Sequence, residues 1–355
     1  MRSLIQSNTA QIVRSLIYTL VLTTPLIFTS STVEGFEFPK MIVIYIVGTT
    51  IIFLFLMTRT KKLIKPKTTP VMFILAYMAA TLTSTHIYTS LWGYYSRFNG
   101  GLVSMLVYFG LYITALNLLN KTNFENIKKM MVITSIPVSL YGIFQHLVLS
   151  KDQGTVRIFS NIGQANWLGA YLAFCILIAL GYMFSQRNWR LYLSAYSLGF
   201  LGLWLTFSVS SLLGLVGGLA VFTACNRGAL VKQPRKAVAV ATFSFLVIVF
   251  MPGIWQKRIE DVYKSITLVQ TAHAQNTKQF NISDSGLIRK GMWAGSIYII
   301  TSDSKTFILG SGPETFAYVF QKHRPAFLNY TSEWEYILNK PHNYYLEIWT
   351  TTGLI

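Results

Sequence analysis

MIVIYIVGTTIIFLFLM, residues 41–57, carries no charged side chain and decides how the chain is read. A bilayer core takes about 20 apolar residues per spanning helix. Blocks of similar length and character recur outward from it, at 13–30, 70–88, 101–119, 130–149, 166–184, 191–207, 210–226 and 237–253. Hydrophobic residues make up 52% of the chain and charged ones 12%, against about 25% charged in a soluble domain. The pattern predicts an all-α polytopic membrane protein. Pro25 and Pro137 fall inside predicted spans, where neighbouring helices can satisfy the freed backbone groups. The first stretch lacks a small-residue cleavage site and is read as a span, not a signal peptide.

The formal net charge of +18 would suit a nucleic-acid partner, but its placement argues against one. Arg59, Lys61, Lys62, Lys65 and Lys67 follow the second stretch. Lys121, Lys128 and Lys129 follow the fourth, Arg187 and Arg190 the sixth, and Arg227, Lys232, Arg235 and Lys236 the eighth. With Arg2 and Arg14 these are 16 of the 30 basic residues, set against one acid, Glu125. A basic bias on alternate short connections marks the cytoplasmic side. The amino terminus is therefore expected inside, and most of the basicity is topology, with attraction to anionic membrane lipids as a secondary effect. Cys175 and Cys225 both lie within spans and read as small apolar filler.

This frame puts three polar segments outside. Trp92 to Gly101, WGYYSRFNGG, has the aromatics of an interfacial belt. Its Arg97 reads either as a headgroup contact or as a ligand for an anionic substrate. Lys151 to Tyr171, KDQGTVRIFSNIGQANWLGAY, is polar up to the start of the sixth stretch. Arg157, Asn161, Gly163, Gln164 and Asn166 suit a funnel-lining turn near a ligand, or equally a set of capping and loop-folding residues. The third segment is the long loop, 254–341. Within it, SGLIRKGMWAGSIYII, 285–300, predicts a helix with Leu287, Met292, Trp293 and Ile297 packed inward or against the membrane. FILGSGPETF, 307–316, is a glycine-rich turn feeding Pro313 and Glu314. It reads as local turn geometry or as a phosphate cradle, but not as a Walker motif, since no Gly-Lys-Ser/Thr follows.

The loop ends at Lys340-Pro341-His342-Asn343-Tyr344-Tyr345-Leu346-Glu347. Pro341 can open a helix, which would set His342 and Asn343 on its first turn and Glu347 deeper along it. His342 is then either structural or a neutral proton acceptor near pH 7. His323 and His342 lack a second ligand four residues away, so zinc-protease spacing is absent and no metal site is expected. Asp152 and Glu347 cannot be paired as glycosidase carboxylates from sequence separation.

Three of these elements resemble the O-antigen ligase and polymerase superfamily, also called the Wzy/WaaL-like group. RIFSNIGQANWLGAYL, 157–172, is similar to its arginine and Asn-rich segment; FILGSGPETF resembles its outer-loop glycine turn; PHNYYLEIWTTTGLI, 341–355, resembles its proline, His-Asn, leucine, glutamate and terminal-glycine pattern. The likeness extends over essentially the whole chain in helix number and loop placement, with the ligase-related region at about 155–355. It implies a GT-C-like multi-span helical bundle: nine spans over 1–253, an extracytoplasmic, partly helical loop over 254–341, and the start of a tenth span at 342–355. The family runs through about two more spans, so a truncated member is expected. One departure stands out. Where the family often has Ser-Arg, this chain reads Phe207-Ser208-Val209-Ser210-Ser211.

The resemblance further implies a metal-independent membrane glycosyltransferase with no cofactor. It would act at the extracytoplasmic face of a bacterial inner membrane. The donor would be a glycan on undecaprenyl pyrophosphate, and the acceptor hydroxyl would belong to lipid A-core, another glycan or a protein. His342 matches the family's assisting histidine, Arg289 the arginine ahead of the glycine turn, Arg157 the one before the Asn-rich segment and, less closely, Arg97 an arginine-glycine motif. His342, Arg289 and Arg157 would be catalytic, with Arg97, Arg157 and Arg289 on the pyrophosphate. Asn161, Asn166, Gly310, Gly312, Asn343 and Glu347 would support them. The rival class is transport, a flippase or permease for an anionic amphiphile, which many spans and outward arginines also fit. A scaffold without chemistry would leave the arginines and histidine idle.

Overall fold

The computed structural model describes residues 2–58, 63–153, 157–186, 188–251 and 285–354. The first part of the long loop lies outside them, as do Arg59, Lys61, Lys62 and Arg187. Among the described residues the secondary structure is entirely helical. The helices are α1 (Arg2–Thr23), α2 (Glu37–Met57), α3 (Thr68–Leu82), α4 (Ile87–Trp92), α5 (Leu102–Leu118), α6 (Lys121–Gln153), α7 (Ala165–Ser185), α8 (Trp189–Leu205), α9 (Val209–Cys225), α10 (Arg227–Lys232) and α11 (Pro234–Phe250). The later part adds α12 (Ser285–Ile300), α13 (Ser304–Leu309), α14 (Phe316–Phe320) and α15 (Tyr344–Thr352).

Each apolar stretch read from the sequence has a helix over most of its described residues; the 13–30 stretch leaves helix after Leu26, residues 252–253 of the last lie outside the described residues, and 70–88 is interrupted. Helices α2, α7 and the Lys121–Val148 part of α6 are long and apolar enough to cross a membrane; α3, α5 and α9 are apolar but shorter. The 70–88 stretch is not one helix. It closes at Thr83 and restarts after His86, whose Nδ1 accepts the Thr89 N–H at 3.3 Å. A backbone partner from far along the chain fills the gap: the Thr85 N–H donates to the Ser311 carbonyl at 2.9 Å.

The chain folds as two compact units. One comprises residues 1–10, 44–118 and 261–355; the other comprises 11–43 and 119–260. In the second, α7 presents Leu168, Leu172, Ile176, Leu180 and Met183 to α8, which answers with Tyr196, Phe200 and Leu203. Glycine allows the close approach. A Cβ at Gly199 would lie 3.1 Å from Ile176, and one at Gly202 would lie 3.1 Å from Leu172. Small residues at helix contacts suit a lipid setting, where van der Waals packing replaces the hydrophobic effect between helices.

In the first unit, α12 forms over the residues its pattern predicts. Ile288, Met292 and Ile299 are buried with Phe316, Phe320, Leu328 and Leu338. Of the four residues expected inward or against the membrane, Met292 packs inward, whereas Leu287, Trp293 and Ile297 are exposed on the protein surface. Gly291 and Gly295 define the packed face. Leu328 and Phe320 pack onto them so closely that a Cβ would come within 2.6 and 2.4 Å. The bare glycine surface is the face that receives the aromatics.

The carboxyl-terminal helix also starts later than its proline suggests. α15 begins at Tyr344, with Asn343 as N-cap accepting from the Tyr345 and Leu346 N–H groups at 3.1 and 3.3 Å. Pro341 and His342 therefore precede the helix. It closes at Gly353, φ 78°, after nine residues, or about 14 Å of rise. The described residues thus give a short helix where the sequence suggests the opening of a tenth span.

Candidate functional site

In the first unit the site is built around a turn that carries His342. Three anchors hold it. The Trp293 indole on α12 donates to the Pro341 carbonyl at 3.1 Å. The Lys340 ammonium donates to Glu314 Oε1 at 2.9 Å and Glu347 Oε1 at 2.6 Å. Asn343 caps α15. Between these anchors His342 sits at φ 51°. Non-glycine residues adopt this region rarely and persist there where the surroundings over-determine them.

The His342 side chain is open to solvent on one side. Packing on the other side pushes its pKa below the ordinary histidine value, and the nearby Arg289 guanidinium pushes it further. Glu333 and Glu347 oppose this, and Lys340 adds to it. The net result favours a neutral imidazole, with a lone pair available for a hydroxyl proton. Arg289, exposed on the second turn of α12, is thus brought to His342.

The Arg97 segment is held to the same unit by three tyrosines. Tyr45 on α2 donates to the Phe98 carbonyl at 2.6 Å, Tyr108 on α5 donates to Asn99 Oδ1 at 3.1 Å, and Tyr77 on α3 donates to the Gly100 carbonyl. Phe98 is left-handed at φ 53°. Gly100 lies against the Glu314 carboxylate, where a Cβ would come within 2.3 Å of Oε1. The arginine loop therefore touches the carboxylate that Lys340 binds.

The glycine turn uses its amides within the fold. Ser311 N–H and Gly312 N–H donate to the Thr350 and Thr351 carbonyls of α15, both at 2.9 Å. Gly310 (φ 71°) lies on the Thr351 backbone, and Gly312 (φ 108°) lies on Ser84 and Ser90. Of the two readings of this turn, the geometry favours local structure: a phosphate cradle needs amides that are not already bonded.

Arg157, Asn161 and Asn166 belong to the second unit. Arg157 Nε donates to the Thr206 carbonyl and Nη2 donates to Asn166 Oδ1, both at 2.9 Å. Its Nη1 makes no hydrogen bond among the described residues. Thr206 lies just before Phe207 (φ 50°) and Ser208, which caps α9. The serine segment that lacks the family's arginine is thus where Arg157 docks. Asn161 is buried, and its amide donates to the Leu26 carbonyl at 3.1 Å. Its own carbonyl accepts from Lys40. Asn161 is occupied in shaping the turn, whereas Asn166 orients an arginine.

Two residues at the site escaped sequence reasoning. From sequence, Lys340 takes no role beyond its place at the end of the loop and Glu314 none beyond its place after the glycine-rich turn, and nothing local pairs residues 26 positions apart. The signal that was present is the sequence of turn residues on either side of each.

Residues 194–355 match the family model described as O-antigen ligase. Over that part the chain is similar to the O-antigen ligase family. No curated protein and no solved structure matches the chain. The O-antigen ligase match takes in Arg289, Gly310, Gly312, His342, Asn343 and Glu347, and it begins after Arg97, Arg157, Asn161 and Asn166. It is therefore shorter than the 155–355 region suggested by sequence motifs. Apart from that match, three helices of the described residues are long and apolar enough to cross a membrane.

Proposed function

We propose that the protein transfers a glycan from an undecaprenyl-pyrophosphate carrier to an acceptor hydroxyl at the extracytoplasmic face of a bacterial inner membrane. The observation that carries this reading is the His342 turn: a strained, triply anchored imidazole, kept neutral beside an arginine, within the O-antigen ligase match. His342 accepts the proton of the attacking hydroxyl. Arg289 supplies a fixed cation for the departing pyrophosphate, and Arg97 supplies another from its tethered loop. Guanidinium groups suit this task because they give directional, charge-assisted bonds and do not titrate. Stabilising the developing negative charge is commonly a large catalytic term. The acceptor oxygen bonds to the sugar's anomeric carbon as its C–O bond to phosphate breaks, and the intact lipid pyrophosphate leaves; this good leaving group supplies the driving force, so neither nucleotide nor metal is assigned a part. Arg157 carries the same chemistry in its own unit, oriented by Asn166. Asn343 and Glu347 hold the His342 turn. A nine-span, GT-C-like topology with the amino terminus inside accompanies this reading.

The test is transfer from a lipid-linked glycan by the full-length protein in liposomes. His342→Ala abolishes turnover and leaves donor binding near its original value; retained turnover removes the base assignment. Arg289→Ala and Arg157→Ala weaken donor binding, and unchanged binding in both removes the cation assignments. A donor that crosses the bilayer with no covalent transfer would make the protein a transporter.

A further inference from the structure

We propose that Lys340 is a positioning residue for His342: its ammonium ties the residue after the glycine turn to the first turn of α15 and so fixes the strained loop that presents the imidazole. The inference rests on the reading of His342 as the base and adds a residue to that site.

The geometry is specific. Lys340 bridges two carboxylates that come from different elements, Glu314 next to the glycine turn and Glu347 on α15. The lysine side chain is 31% exposed, and the glutamates are 12% and 19% exposed. A surface ion pair at high exposure is worth little. This one is withdrawn from water, and removing its cation would strand two neighbouring carboxylates. Glu314 is left-handed at φ 58° and His342 at φ 51°. One ammonium therefore connects two strained residues, directly to Glu314 and through a single proline to His342. Strain of this kind is maintained only by surrounding contacts, and Lys340 is the contact common to both.

A second consequence is electrostatic. The charged groups acting on His342 are Arg289 from α12, Glu333 from the turn before it, Glu347 from α15 and Lys340 itself. Burial alone would pull the Lys340 ammonium down, but the Glu314 and Glu347 carboxylates outweigh it and push its pKa up to about 12. The lysine stays charged across the physiological range and cancels one of the carboxylates that would protonate His342. Without it, Glu333 and Glu347 are opposed only by burial and Arg289, and a smaller share of His342 is neutral near pH 7.

The experiment compares Lys340→Met, Lys340→Arg and the parent protein, full-length, in the same liposome assay. Lys340→Met is expected to lower kcat about 10²-fold, the scale of a misplaced catalytic group. It should leave the KM for donor near its parent value and move the acidic limb of the pH profile upward. Lys340→Arg should restore most of kcat and return the limb. Titration of the His342 imidazole by NMR in detergent, assigned with His342→Ala, reads the charge effect without any turnover. Its midpoint should rise in Lys340→Met. An unshifted midpoint together with unchanged kcat overturns the proposal. A raised donor KM with an unmoved limb also overturns it, in favour of direct contact with the donor. If Lys340→Met does not fold, Glu347→Gln takes its place, and its His342 midpoint should fall; a midpoint that stays put overturns the proposal. Should His342→Ala retain turnover, the base reading fails on its own, while the titration still decides whether Lys340 controls the imidazole.

Discussion

Five non-glycine residues with left-handed backbone are recorded among the described residues: Phe98, Ser160, Phe207, Glu314 and His342. Each lies in a segment that the motifs or the family comparison had singled out. Such strain costs of order 1–3 kcal/mol per residue and tends to gather at functional sites. His342 makes the point testable through pH. Its pKa is lowered by packing and by Arg289, so the neutral form, the one the proposed base requires, persists to lower pH than an ordinary histidine near 6.5 allows. The acidic limb of the transfer rate is expected below that value. Arg289→Ala, measured at saturating donor, should move the limb upward, because removing a cation makes protonation easier. A limb that stays fixed would separate Arg289 from the imidazole. That His342 and Arg289 are candidates was legible from the His-Asn motif and the glycine turn. Their juxtaposition was not, because it depends on how Trp293 holds Pro341. Nor was the Lys340 bridge legible, since its carboxylates come from separate elements.

Elements were read from apolar block length, and this works well where lipid forces the backbone to satisfy itself within one helix. It works less well where a helix packs against protein. The α12 pattern gave the correct extent, yet its buried face follows Gly291 and Gly295, because two bare positions make the groove that Phe320 and Leu328 fill. Hydrophobic periodicity counts large side chains and is blind to a face defined by their lack. Gly295→Val should therefore force Phe320 out of place and destabilise the unit by about 1–3 kcal/mol. Gly286→Ala, at a position where a Cβ meets nothing within 4 Å, should be neutral or slightly stabilising. Thermal unfolding in detergent compares the two, and equal midpoints would refute the packed-glycine account. The break between α3 and α4 was hidden for a related reason: its partner, Ser311, is more than 220 residues away.

At the scale of the whole molecule, alternating basic connections predict which residues share a side of the membrane. In a background with Cys175 and Cys225 replaced, a cysteine at Tyr336 should react with a membrane-impermeant reagent in intact cells, and one at Lys232 only after the membrane is opened. Both side chains lie on exposed stretches, so access to the backbone does not limit the comparison. Labelling in the reverse order would invert the topology and place His342 away from the donor. The two-unit division itself was not legible, because hydropathy marks where helices lie and says nothing of which ones associate. That division also sets an order of assembly. The unit holding Gln11–Val43 and Leu119–Glu260 draws nothing in this sequence from beyond residue 260, whereas the unit bearing Arg97 and His342 also needs the later segment 261–355. At about 5–20 residues per second, the tyrosine-tethered arginine loop waits on the order of 10–40 seconds for its carboxylate partner, Glu314, to be synthesised. The Arg97 loop thus meets its carboxylate neighbour only after the intervening segment, 119–260, has been made.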